Sequence, residues 1–177
     1  MPGNAVKACM FARRSIRRFT QQPVERALIE ELIRAGCMAP TGSNLQTWRF
    51  VAVDDPALIK AICAISPGIS GAPPCILALC TDEQLALTKG GTLALTQLSV
   101  MDLSMAAQNI MLLAADCGLG TCAVKSFQGV LVHRLLKLPE HIAVHLLLTL
   151  GYPVKLPENA PRRRPLEEIL RYNGWEE

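Results

Sequence analysis

Apolar residues along this chain switch between two periods. Leu28, Ile29, Leu32 and Ile33 fall on one helical face, which predicts a helix over about Glu25–Ala35 with Gly36 as its C-terminal cap. Asn4 is placed to cap an earlier helix running to Phe11. Trp48–Val53 reads as a strand, and Asp55-Pro56 as N-cap and first position of a helix to about Ala64. Pro73-Pro74 breaks the chain before a buried strand at Cys75–Cys80. Gln97–Cys117 is the strongest helix. Leu98, Met101, Met105, Ile110, Leu112 and Leu113 make it apolar over most of its circumference, as expected at a core or a subunit interface. Gly118 ends it. Thr121–Val124 (strand), Val130–Leu136 (helix) and Ala143–Leu150 (central strand) follow. From Gly151 onward prolines interleave with charge, which predicts an extended tail and a last helix over Leu166–Tyr172. Strands alternating with helices make the fold α/β or α+β. A tail so poor in apolar residues needs something to pack on, such as a second subunit.

Size and charge narrow the classes. The chain has 177 residues, half of them apolar, enough for a single domain over 1–177 with its own core. Its net charge of +3 is too small to argue for nucleic acid. The seven cysteines are odd in number, have no C-x-x-C spacing and sit mostly in apolar runs, a pattern of reduced, buried thiols in the cytoplasm. No signal-peptide pattern opens the chain. Asp102, Gln108 and Asp116 interrupt the longest apolar stretches, which argues against a membrane span. No His/Cys/carboxylate group has metal-ligand spacing, and nothing in the spacing supports Cys117 or Cys122 as a nucleophile paired with His133, His141 or His145.

The candidate chemistry lies in two arginine clusters, Arg13-Arg14-Ser15-Ile16-Arg17-Arg18 and Arg162-Arg163-Arg164. Guanidinium forks suit a phosphate. In an extended segment Ser15 and Arg17 point one way and Ile16 the other, so Ile16 anchors in the core while its neighbours face a ligand. Arg14 must then curl back or lie where the chain turns. Pro40-Thr41-Gly42-Ser43-Asn44 is rich in turn formers and reads either as an ordinary loop or as a ligand cradle, with Gly42 permitting close approach. Gln46 offers a donor and an acceptor to a ring edge, whereas Trp48 reads as a core anchor.

Five segments occur in a telling order. They are Arg13–Phe19, Ala39–Phe50, Ala106-Ala107-Gln108-Asn109 before Gly118–Cys122, Leu135–Glu140 leading to Gly151-Tyr152-Pro153, and Arg162–Glu168. In this order the chain resembles the FMN-dependent nitroreductase family from about Arg13 to Leu170. The resemblance implies an α+β fold around a mostly antiparallel sheet flanked by helices. It also implies an intertwined homodimer whose C-terminal tails (151–177) embrace the partner, with FMN sites at the interface. By matching positions, Arg13, Arg14, Ser15 and Arg17 hold the phosphate, ribityl chain and pyrimidine side. Pro40, Thr41, Gly42 and Asn44 come from the other subunit with Gln46 nearby, Lys125 and Ser126 line the ring, and Arg163 meets the phosphate, with Arg162 or Arg164 as the alternatives within the three-arginine run.

The implied activity is ping-pong hydride transfer from NAD(P)H through FMN to an electron-poor small molecule, with no side chain as catalytic acid. Two positions and the chain's length depart from the family pattern. Thr47 stands where proline is usual, Lys125 brings a positive charge close to the ring, and the short chain leaves little room for a substrate lid. Two other classes use the same residues: an anion- or nucleic-acid-binding module, and a flavin carrier without turnover.

Overall fold

The computed structural model describes residues 4–159 and 161–175. The helices are α1 (Asn4–Ala12), α2 (Arg26–Cys37), α3 (Pro56–Ala64), α4 (Glu83–Leu93), α5 (Ser99–Asp116), α6 (Gly129–Leu135) and α7 (Leu166–Ile169). The strands are β1 (Trp48–Val53), β2 (Cys75–Asp82), β3 (Gly120–Val124) and β4 (Ile142–Gly151). They form one antiparallel sheet in the order β1-β2-β4-β3. The fold is therefore α+β, with β4 central as its apolar run predicts.

The two-residue period of β2 divides the interior. Cys75, Leu77 and Leu79 face α2 and α5, where they join Leu32, Leu103 and Ile110. Ile76, Ala78 and Cys80 face the opposite way, toward Ile59 and Ile62 of α3 and Val132 of α6. A strand buried on both faces reads as a continuous apolar run, which is why Cys75–Cys80 is so clear in the sequence. The register shifts between Leu79 and Cys80, which face Leu146 and Val144, so His145 is the extra residue of a bulge.

Local chemistry explains the helix starts. The Asp55 carboxylate accepts the Leu58 N–H at 2.7 Å, with Pro56 in the first turn. Asp82 does the same for Leu85 at 2.8 Å and opens α4 directly from the end of β2. The capping role expected of the Asn4 side chain lies outside the described residues.

Several expectations need correction. Gly36 does not end α2. The helix runs through Cys37, and Gly36 is buried where a Cβ would lie 2.9 Å from Ile110. The long helix starts well before Gln97, since α4, a π-helical segment (Ala94–Leu98) and α5 form one helical run over Glu83–Asp116. These 34 residues are long and apolar enough to cross a bilayer by length and composition. One side of the run, including Leu103, Ala106 and Ile110, is spent on the core. The last helix stops at Ile169 rather than Tyr172. Cysteine burial is mixed: Cys75, Cys80 and Cys122 are buried, whereas Cys37 and Cys117 are exposed. Burial pushes the Cys75 and Cys80 thiols up to about 12.

Candidate functional site

The segment after α1 is extended, as its alternation predicts. Ser15 bridges to Thr121 at the start of β3, and the Ile16 N–H donates to the Thr121 carbonyl at 2.8 Å. Ile16 and Phe19 are buried, while Ser15, Arg17 and Arg18 are exposed. The segment's other edge meets the chain leaving β4. The Thr20 N–H donates to the Tyr152 carbonyl at 2.8 Å, and the Val154 N–H donates to the Arg18 carbonyl at 3.1 Å. The first arginine cluster is thus sewn between β3 and the tail.

That stitching brings both chain ends together. Arg13, Arg14, Ser15 and Arg17 share a cavity of about 350 Å³ with Arg163 and Asn159, and among the described residues no carboxylate lines it. Among the described residues none of these four arginines makes a salt bridge. Concentrated positive charge without internal neutralisation suits an external anion. Arg14 curls back as expected. Its Nη1 donates to the Phe11, Ala12 and Arg13 carbonyls at 2.7, 3.0 and 2.9 Å, capping the C-terminus of α1. Its Nε is buried and makes no hydrogen bond. Of the three C-terminal candidates, Arg163 lines this cavity and Arg162 and Arg164 do not.

From Thr121, β3 leads to Lys125 and Ser126 about 13 Å further on at ordinary strand rise. The loop after α3 closes the space between. The Gly68 N–H donates to the Ser126 carbonyl at 3.0 Å, and Gly71 lies against the Arg17 carbonyl. A Cβ on Gly71 would sit 2.5 Å from that oxygen, and its φ of +83° already favours glycine. Lys125 does not extend freely. Its Nζ donates to the His145 carbonyl at 2.9 Å and lies 5.6 Å from the Phe127 ring centre. The His145 ring nitrogen Nε2 pairs with the Thr81 hydroxyl at 2.7 Å. Burial, and then the Lys125 ammonium, pushes the His145 pKa down against an opposing Glu83.

The Pro40–Gln46 loop stands apart, and none of its residues lines the arginine cavity. Ser43, Asn44 and Gln46 are all left-handed, with φ of 51°, 56° and 52°, and all three are exposed. Gly42 faces inward: its N–H is taken by Asp102, and the close approach it permits is that of Leu98. Trp48 is buried, a core anchor as read from the sequence.

Sequence reading missed Gly68, Gly71 and Asp102. The Pro67-Gly68 and Ser70-Gly71 pairs carried a turn signal, but only folding shows what they touch. Asp102 counted only as an interruption of apolar sequence.

A four-stranded antiparallel sheet between helices, with an arginine-lined cavity where the tail crosses the first extended segment, defines an α+β protein whose cavity has the charge to take an anion. The chain belongs to the nitroreductase family: the family model matches residues 10–66 and 63–152. It is 30% identical to a protein named NADH dehydrogenase from Thermus thermophilus, over 96% of this chain and 97% of that one. It is also 30% identical to the oxygen-insensitive NADPH nitroreductase of Salmonella typhimurium, over 92% of this chain and 71% of the relative. Among solved structures, the NADPH:FMN oxidoreductase of Vibrio harveyi complexed with NAD+ superposes with a TM-score of 0.87. That match has 29% identity and covers 98% of this chain and 79% of the other.

Proposed function

We propose that this protein is a cytoplasmic, homodimeric FMN-dependent oxidoreductase. It takes hydride from NAD(P)H and reduces an electron-poor small molecule, such as a nitroaromatic or a quinone, by a ping-pong sequence. One observation carries the reading: Arg13, Arg14, Ser15, Arg17 and Arg163 converge on one cavity that no carboxylate lines among the described residues. The names of the relatives, among them an FMN reductase (NADPH) and an NADPH-flavin oxidoreductase, support the same chemistry.

The residues fit a flavin monophosphate. A phosphate carries about 1.5 to 2 negative charges and three acceptor oxygens. The cavity supplies guanidinium forks, the Ser15 hydroxyl and a buried Arg14 Nε with no internal partner. Arg163 closes over the phosphate from the tail, and Arg162 stands behind it. Arg17 would supply positive charge on the pyrimidine side of the ring, where reduced flavin carries its negative charge. Lys125 and Ser126, at the far end of β3, border the ring.

Pro40, Thr41, Gly42, Asn44 and Gln46 reach the site from the partner protomer, which fits their separation from the arginine cavity. FMN, when bound, supplies a carrier that accepts hydride from the nicotinamide at N5 and passes it on. The protein binds, orients and shields, and none of its side chains is required as an acid.

The dimer reading has its own support. Leu87, Leu93, Val100, Met101 and Met105 leave an exposed apolar stripe along α4 and α5, and Leu156, Leu166, Tyr172 and Trp175 of the tail are likewise exposed. The decisive experiment is anaerobic addition of NADH and of NADPH to FMN-loaded protein. Bleaching of the flavin band followed by reoxidation with a quinone is expected. Flavin that neither nucleotide bleaches would leave only a carrier.

A further inference from the structure

The Pro40–Gln46 turn is held from beneath by one charged group. The Gly42 N–H donates to both oxygens of Asp102, at 3.1 Å (Oδ2) and 3.3 Å (Oδ1). Asp102 is only 4% exposed, and among the described residues this N–H is the only hydrogen-bond donor the carboxylate has. Burial raises its pKa, against the pull of the Gly42 bond. A carboxylate so placed is expensive to bury unless something is gained by it.

What is gained is a strained shape. Three non-glycine residues within four positions, Ser43, Asn44 and Gln46, adopt left-handed backbone. Such geometry persists only where the surroundings over-determine it. The surroundings here are the bend in the α4–α5 run. Gly91 leaves the helical region at φ +66°, and π-helical turns follow. The bend sets Leu98 where a Gly42 Cβ would lie 3.0 Å from its Cδ1. It also sets Gly90 where any Cβ would be 2.5 Å from Leu45. Leu98 and Asp102 are four residues apart, so one helix face meets Gly42 twice.

We propose that Asp102 is a positioning residue of the flavin site: its carboxylate draws the Gly42 amide inward and so sets Asn44 and Gln46 outward for the ring of a flavin. The inference rests on the flavin reading above. It assigns a role to a side chain that touches no ligand, at the ring end rather than the phosphate end.

The test compares FMN and riboflavin binding to apoprotein from wild type, Asp102→Ala, Asp102→Asn and Arg163→Ala, well below each variant's melting midpoint. Asp102→Ala is expected to weaken both flavins equally, by at least about tenfold. Asp102→Asn keeps an acceptor oxygen and should stay within about threefold of wild type for both. Arg163→Ala should weaken FMN alone. Asp102→Leu fills the volume without an acceptor and replaces the alanine variant if that one does not fold. Unchanged binding in the alanine or leucine variant overturns the proposal. So does folded Asp102→Asn that binds as poorly as alanine. Wild-type protein that binds neither flavin overturns the flavin reading itself, and this inference with it.

Discussion

Arg14 and Arg163 come from opposite ends of the chain and line the same cavity, although Arg14 also caps α1. The first arginine is held by the fold, because three backbone carbonyls grip its Nη1. The second is exposed on the tail. Arg163→Ala should therefore leave the fold intact and raise the Kd for FMN about 10- to 100-fold, the value of one charge-assisted hydrogen bond. Turnover of flavin-saturated enzyme should change much less. Flavin titration beside steady-state kinetics at saturating FMN separates the two, and normal flavin occupancy in the purified variant would count against the assignment.

Gly71 is the backbone contact that keeps the Arg17 segment close to the loop after α3. An added methyl meets a carbonyl oxygen, which has no rotamer with which to yield. Gly71→Ala should cost more than about 1 kcal/mol in chemical denaturation, since both the φ and the contact are unfavourable. It should weaken flavin binding as well. An alanine variant with wild-type stability would show that Arg17 does not depend on this contact.

Much of this arrangement was legible in the sequence, and the exceptions share a cause. Asp55-Pro56 carries its own cap, and Ile16 between Ser15 and Arg17 carries its own alternation, so both are local signals. The α4 helix was not visible, because Gly90-Gly91 interrupts its pattern and its cap, Asp82, belongs to the end of a strand. Gly36 has the composition of a stop signal, yet its small size serves the crossing of α2 over Ile110. Asp102 is the clearest case. Its partner lies far away in sequence, and no local pattern marks a carboxylate that will be buried.

His145 makes stability depend on pH. Its folded pKa lies below the ordinary 6.5, so the folded state binds fewer protons than the unfolded chain in mild acid. This contribution is fully present above about pH 6.5 and is lost as pH falls toward the depressed folded value. Denaturation at about pH 7.5 and about pH 5.5 should show a loss that His145→Gln reduces while keeping a partner for Thr81. An identical pH slope in the variant would assign the loss to other groups.

The apolar stripe on α4 and α5 predicts a specific failure. Met101 is 59% exposed in the single chain, and Met101→Glu should place a charge in the dimer contact. Sedimentation should show dimeric wild type and a weakened dimer in the variant, with flavin lost in parallel if, as proposed, the Pro40–Gln46 loop is supplied across the interface. A monomer that retains FMN would overturn the shared site.

On the proposed reading the arginines of both chain ends hold the phosphate of a flavin. Titrating apoprotein with FMN and with riboflavin, which lacks only that phosphate, puts those arginines to the test. Two charge-assisted hydrogen bonds of at least about 1.5 kcal/mol each correspond to a preference for FMN of roughly 100-fold or more. Equal affinity for the two flavins would contradict the account.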